Sequence, residues 1–379
     1  MQETILTNAR IVTPDAVIEG TLTLRDGRIA TIDEDRSALP GAIDCEGDLL
    51  IPGLVDVHTD NLERQVLPRS NARWPGVSAY LSHDAQCIAA GVTTVLDALC
   101  LGDLGFDTER NQTFVDGVRD LDQLAGAGVL KAEHYLHLRC EIPALDMPAA
   151  LDGVAENPRV VMASLMDHSP GIGQYRDLTR YRAMRIRQTR MTDAEVETRI
   201  GELLERRERL RRPQREWMLQ RLAHRNLPLA SHDDDTEATI AENLADGIRI
   251  SEFPVTMVAA RAARAGGMEV IAGAPNIVRG GSHSGNVNAA DLIEAELIDA
   301  FASDYVPASM LEAAWGLAAR DTLSIPEAIA LVTDRPARMA RFADRGHLAP
   351  GLRADVVRLK PFGALPVLRG VWVAGARAG

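Results

Sequence analysis

Five places along the chain set histidine and carboxylate side chains where metal-assisted hydrolysis could use them. In "VDVHTD", His58 and Asp60 stand two residues apart, so on an extended strand both face one way while Thr59 points the other. By the same alternation His137, Arg139 and Glu141 share a face in "HYLHLRCEI", with Glu141 furthest along. His168 follows Asp167 in "LMDHSPG", His232 opens the acidic run Asp233 to Asp235, and Asp304 sits in "ASDY". Imidazoles mixed with carboxylates suit a divalent ion, Zn²⁺ foremost, or Mn²⁺ or Fe²⁺ where oxygen ligands predominate. One such ion, or two about 3.5–4 Å apart, makes bound water acidic enough to act as a nucleophile at neutral pH. Asp304 would take the water's proton and later return it to the leaving group. Each residue also has a plainer use, because acids and histidines at strand ends cap helices and bind loop backbone. The run Asp233 to Asp235 is expected to include the N-cap of the helix after it.

The elements between these residues must bring them together. Strand-like segments run through "LLIPGLVDVHTD", "GVTTVLDAL", "LKAEHYLHLRCEI", "RVVMASLMDH", "LPLASHD", "GIRISEFPVT", "MEVIAGAPN" and "LIDAFASDY", separated by helical stretches such as "SAYLSHDAQCIAAG" and "DTEATIAENLADG". Nearly continuous apolar strands alternating with helices predict a parallel (β/α)8 TIM barrel, with catalytic residues at the C-terminal strand ends. A doubly wound sheet is the weaker alternative, because no Gly-x-Gly-x-x-Gly follows the first strand. Residues 1–50 and 346–379 read as short strands, Asp26-Gly27 marking a hairpin turn, and neither end can bury a core alone. They are expected to pair into one small β-sandwich domain, leaving 51–345 as the barrel. Residues 175–226 are too long for a connection and read as an arginine-rich helical insertion, either a solvated hairpin or a lid. Thr192 and Glu195 form a capping box, Val196, Ile200, Leu203 and Leu204 share a face, and Pro213 should end that helix or start another.

The chain of 379 residues has a formal net charge of −13, which disfavours nucleic acid and acidic membranes as partners. It contains no run of about 18 apolar residues that would span a bilayer. The N-terminus lacks the layout of a signal peptide, and the four cysteines lack Cys-x-x-Cys spacing, so a cytoplasmic protein is expected. Self-association into a homo-oligomer is left open.

The framing strands, "LLIPGLVDVHTD", "GVTTV" and "ASDY" resemble the amidohydrolase superfamily of metal-dependent hydrolases, over essentially the whole chain. That resemblance implies a (β/α)8 barrel with a β-sandwich from both termini. It also implies a His-x-His motif, a bridging Glu or carboxylated Lys, two further histidines and a final Asp. His58 matches the first histidine, Asp60 stands in place of the second, and Glu141 matches the bridging carboxylate. His168 and His232 match the later histidines, His168 one strand early, and Asp304 matches the final aspartate; Lys131 lies too near the start of its strand for a carbamate.

"VDVHTDNLERQVLPR", "LMDHSPGIGQY", "SHDDDT" and "GAPNIVRGGSHSGNV" are similar, more narrowly, to the diphosphatase family of the carbon–phosphorus lyase pathway, in which His-x-Asp is the usual first motif. This implies hydrolysis of a small phosphorylated substrate, a ribosyl 5-triphosphate, to the 5-phosphate and pyrophosphate. The loop Arg279, Gly280, Gly281, Ser282, His283 and Ser284 would then cradle phosphate with its backbone N–H groups, helped by Arg64 and Arg69. The alternatives are a C–N hydrolase, either a deaminase or a cyclic amidase, and an inactive barrel scaffold.

Overall fold

The computed structural model describes residues 3–69, 72–105, 108–189, 191–281 and 286–379. The N-terminal strands are β1 (Glu3–Val12), β2 (Val17–Arg25), β3 (Arg28–Asp33), β4 (Ile43–Asp44) and β5 (Leu49–Pro52). The barrel strands are β6 (Leu54–Thr59), β7 (Val92–Leu101), β8 (Glu133–Glu141), β9 (Val160–Met166), β10 (Leu229–His232), β11 (Ile250–Glu252), β12 (Glu269–Gly273) and β13 (Ala300–Ala302). The chain ends with β14 (Val356–Phe362), β15 (Leu365–Val373) and β16 (Ala376–Arg377). The helices are α1 (Asn61–Val66), α2 (Gly76–Ala89), α3 (Thr108–Gly126), α4 (Met147–Val154), α5 (Leu178–Thr189), α6 (Asp193–Leu222) and α7 (Glu237–Ala245). They continue with α8 (Met257–Ala265), α9 (Ala274–Arg279), α10 (Ala289–Glu294), α11 (Ser309–Ala319), α12 (Ile325–Ala330) and α13 (Asp334–Met339). Among the described residues no helix is long and apolar enough to cross a membrane.

Strands β6 to β13 pair in sequence order, every pair parallel, and helices cover the outside. The seam closes at the C-terminal ends. Thr59 bridges Asp304, the Asp304 N–H donates to the His58 carbonyl at 3.0 Å, and the Asp60 N–H returns a bond to the Asp304 carbonyl. Inside, Val57, Leu96, Met162, Ala230, Ile271 and Ala300 fill a core separate from the two clusters between strands and helices. Each large apolar side chain fully buried there contributes about 1.5–3 kcal/mol.

The termini build a second sheet in the order β16-β15-β14-β5-β1-β2-β3, with β4 beside β1. The β2–β3 turn uses Asp26 and Gly27 at φ 48° and 81°, the left-handed pair that a two-residue hairpin needs. One expected strand divides. "LLIPGLVDVHTD" breaks at Gly53 into β5, which pairs with β1 and β14, and β6, which opens the barrel.

The insertion holds α5 and α6. The Thr192–Glu195 capping box is present, and Val196, Ile200 and Leu203 are buried, but Leu204 is 39% exposed. Pro213 neither ends nor starts a helix; it lies inside the 30-residue α6. The two halves of α6 are tied to different bodies, which holds the helix continuous across the missing N–H. Val196 and Ile200 pack with Tyr181, whereas Gln214 donates to the Ile142 and Ala144 carbonyls and Arg215 pairs with Asp246.

A Cβ on Gly53 would lie 2.2 Å from Thr93 Oγ1 and 2.9 Å from Asp355 Cβ, where the chain passes from one sheet to the other. Gly53→Ala is therefore expected to cost about 1–3 kcal/mol, read as a lowered midpoint in urea or thermal unfolding.

Candidate active site

The C-terminal ends of the barrel strands open on a cavity of about 1010 Å³. Its floor brings together His58 from β6 and Asp60 just after it, Glu141 from β8, His168 after β9, His232 from β10 and Asp304 after β13. Two residues that the sequence reading did not assign to the site join them. Glu252 ends β11, and Asp233 follows β10. Three overlapping donor triplets result: His58, Asp60 and Asp304; His58, His232 and Glu252; and His168, His232 and Asp233, the donor atoms of each within 4.8 Å of one another.

Hydrogen bonds decide which ring nitrogen faces the cavity. His58 donates from Nδ1 to Glu252 Oε1 at 3.1 Å, leaving Nε2 at 3.7 Å from Asp60 Oδ1. His168 donates from Nδ1 to Glu141 Oε2 at 2.6 Å, and its backbone N–H meets Glu141 Oε1 at 2.9 Å. His168 Nε2 then lies 3.6 Å from Asp233 Oδ2, which is 3.3 Å from His232 Nδ1. His137 donates from Nδ1 to the Val57 carbonyl at 2.9 Å and turns Nε2 toward Glu252 Oε2, 3.8 Å away. Burial, offset in part by Glu252, pushes the His137 imidazole down to about 4, so it is neutral and Nε2 keeps a lone pair.

Glu141, matched above to a bridging carboxylate, therefore has both oxygens on His168. His137 Nε2, His232 Nδ1, Asp233 Oδ2 and Glu252 Oε2 are buried without a hydrogen-bond partner. Such orphans are costly unless something else satisfies them. The separations of 3.6–3.8 Å are too long for hydrogen bonds. They match the roughly 3–4 Å between two donors that share an ion at about 2.0–2.2 Å. The donor set fits a divalent cation, with Glu252 and Glu141 orienting the imidazoles.

The backbone is strained around it. Asp233, Phe253 and Asp304 take φ of 57°, 53° and 54°, a conformation uncommon outside glycine and an outlier for a bulky residue such as phenylalanine. The Phe253 ring sits edge-on to His58 and His232 at 5.0 and 5.3 Å. Burial, and next the neighbouring Asp60, lift the Asp304 carboxyl well above the usual carboxylate range. Asp60 is held in the opposite direction: burial opposes its charge, but Arg139 outweighs it, with Nη1 at 2.5 Å from Oδ1. The expected N-cap is also displaced. Thr236 caps α7, Asp234 bonds Ser231, Ser251 and Asn243, and Asp233 belongs to the site.

Arg64 and Arg279 converge on Tyr305 rather than lining the cavity. Arg64 donates to its carbonyl at 2.8 Å, and Arg279 reaches its hydroxyl at 3.5 Å. Arg69 is exposed, and Gly280 ends α9 at φ 73° beside Gly281. Ser282, His283 and Ser284 lie outside the described residues. Among the described residues the arginines lining the cavity are Arg73, Arg110, Arg139 and Arg185, the last from α5 and stacked over Tyr181 at 5.0 Å. Alternation along β8 already put Arg139 on the face of Glu141, whereas nothing in the local sequence marks Arg73, Arg110 and Arg185, which come from a loop and two helices. Glu252 did carry a signal, as an acid ending a strand in "RISEF".

A second set, His83, Asp97 and His134, has the residue types of a metal site but not its geometry. His83 donates to Asp97 at 2.6 Å, His134 to Asp97 at 2.9 Å and to Asp84 at 3.3 Å, and the Tyr80 hydroxyl donates to Asp97. None of these donor atoms is left without a partner, so the cluster is a hydrogen-bonded brace between α2 and the barrel wall.

A closed parallel barrel with histidine and carboxylate donors at its C-terminal strand ends is the arrangement that the amidohydrolase resemblance implied. Solved structures share the fold. N-acetylglucosamine-6-phosphate deacetylase from Pasteurella multocida superimposes with TM-score 0.64 at 12% identity, covering 99% of each chain. An amidohydrolase superimposes with TM-score 0.60 at 16% identity, covering 99% of this chain and 98% of the other. No family model matches the sequence. The α-D-ribose 1-methylphosphonate 5-triphosphate diphosphatase of Escherichia coli (strain K12) is 41% identical over 355 residues, 93% of this chain and 94% of the relative. The chain belongs to the family of that diphosphatase.

Two outcomes follow from the geometry. Glu252→Gln keeps the shape but loses the charge that orients His58, and metal affinity should fall by about 10–100-fold in a chelator competition assay. In the brace, burial opposes the His134 charge, but Asp97 and Asp84 outweigh it and lift the imidazole to about 9. A pKa raised on folding stabilises fully below the unfolded value of about 6.5 and is lost as pH rises through the folded value. Wild-type stability should thus decline between roughly pH 6.5 and 9, and His134→Gln should flatten that slope in urea titrations at stepped pH.

Proposed function

We propose that this protein hydrolyses α-D-ribose 1-methylphosphonate 5-triphosphate to the 5-phosphate and pyrophosphate, within phosphonate catabolism. The observation that carries this is the cavity itself, in which donor triplets and, among the described residues, four arginines serve one volume. A triphosphate ester needs both: electrophilic help at the reacting phosphorus, and cations for charge that spreads onto the departing oxygens. The relative's activity supports this substrate over a C–N bond.

His58, Asp60 and Asp304 would hold one divalent ion, and His168, His232 and Asp233 a second. Zn²⁺ suits the imidazole share first, with Mn²⁺ and Fe²⁺ as the oxygen-favouring options. When bound, such ions acidify water and offset phosphate charge. The protein's own residues do the rest. Asp304, its affinity for a proton already raised, takes the proton from the attacking water and holds it at its carboxylate. Tyr175 and Arg185 of the insertion line the cavity together with the barrel strand ends, so the substrate would lie between them. The four cysteines are buried free thiols, in keeping with a cytoplasmic site of action.

The reading is tested by incubating the protein with the ribosyl triphosphate and resolving products by phosphorus NMR. Pyrophosphate and the 5-phosphate are expected, and release of orthophosphate alone, or no turnover with metal supplied, would sink the idea. Asp304→Asn should lower kcat by about 10²–10⁴-fold with the far-ultraviolet circular dichroism unchanged.

A further inference from the structure

We propose that Arg139 is a catalytic residue that binds the phosphoryl group under attack, an inference that rests on the triphosphate reading above. Its side chain leaves the inner face of β8 and is 5% exposed. Two contacts fix the plane of the guanidinium: Nη1 to Asp60 Oδ1 at 2.5 Å, and Nε to the Met166 sulfur at 3.3 Å. A guanidinium carries five N–H donors. Among the described residues those two contacts are its hydrogen bonds, so the other donors are left to the cavity that Arg139 lines.

Stability does not account for such an arrangement. A buried ion pair is often no more stabilising than apolar residues of the same volume. A planar cation held rigidly beside a reaction centre has another use, since it meets phosphoryl oxygens two at a time and needs no reorganisation as charge develops.

Burial decides which phosphate Arg139 reads. Arg73 and Arg110 are 28% and 36% exposed and stand at the rim, whereas Arg139 lies on the floor against a member of the donor triplet His58, Asp60 and Asp304. The α-phosphorus must reach that floor, and the two outer phosphates then extend toward the rim. In the reaction a water oxygen bonds to the α-phosphorus and its proton passes to Asp304. The bond from that phosphorus to the α–β bridging oxygen breaks, and pyrophosphate leaves with the electron pair. Arg139 donates to the non-bridging α-oxygens, which stay with the 5-phosphate.

The test uses the metal-loaded enzyme and the ribosyl 5-triphosphate, comparing Arg139→Ala and Arg139→Lys with wild type. Arg139→Ala should lose about 10²–10³-fold in kcat with a much smaller change in KM. Added guanidinium chloride at millimolar levels should restore at least a tenth of the lost rate. Arg139→Lys, which still pairs with Asp60 and so guards against misfolding, should remain well below wild type because it lacks the fork. Bound metal and the thermal midpoint of Arg139→Lys should match wild type. The inference is overturned if either variant keeps kcat within threefold of wild type. It is equally overturned if the lost activity tracks lost metal in both variants and guanidinium restores nothing. A wild-type protein that releases no pyrophosphate overturns the diphosphatase reading, and this role with it; a failure confined to the variants' behaviour removes only Arg139.

Discussion

Two hydrogen bonds hold the chemistry of this molecule in place: His58 Nδ1 to Glu252, and His168 Nδ1 to Glu141. Each commits one ring nitrogen to a buried carboxylate, and the other nitrogen is thereby turned toward the cavity floor. Without that commitment either imidazole could rotate to satisfy itself locally, and the donor triplets would dissolve into ordinary ion pairs. The carboxylates in turn are fixed by β8 and β11, whose pairing in the barrel leaves them no other direction to point. A rigid sheet thus converts four side chains into two aimed lone pairs.

Closure of the barrel supplies the second half of the site. Asp304 is far from His58 in sequence, yet its N–H bonds the His58 carbonyl and the Ser303 hydroxyl bonds Thr59 at 2.9 Å. The seam between first and last strands is therefore also the wall of the donor set. Strained φ at Asp233, Phe253 and Asp304 lies at the ends of three different strands, all at this rim. The strain is tolerable because the packed barrel behind it is not free to relax.

The comparison of the two histidine–aspartate clusters shows why residue type is insufficient. His83, Asp97 and His134 lie at hydrogen-bond distances and satisfy one another, so they brace α2 against the wall. In the cavity the equivalent atoms stand 3.3–3.8 Å apart, several with no hydrogen-bond partner, in an arrangement that a shared cation would satisfy. A difference of less than one ångström separates a structural device from a reactive one.

Much was legible in the linear chain. Alternation of apolar strands with helices narrows the fold to a parallel sheet covered on both faces, and the missing Gly-x-Gly-x-x-Gly favours a barrel over a doubly wound sheet. Polar residues at or just past the strand ends, His58, Asp60, Glu141, His168, His232 and Asp304, stand out in the sequence, and all six line the one cavity. What the chain alone did not determine was direction. Glu141 reads as a ligand in the sequence, and the structure adds that both of its oxygens accept from His168; the run Asp233 to Asp235 is expected to include the cap of α7, which Thr236 supplies instead. Pro213 is expected to end that helix or start another, but contacts from two separate bodies keep α6 continuous through it. Arg73, Arg110 and Arg185 line the cavity from elements distant in sequence, and pairwise spacing carries no information about that. Periodicity is a local property and survives in sequence; the few tenths of an ångström that choose between hydrogen bond and metal ligand arise only when the barrel closes.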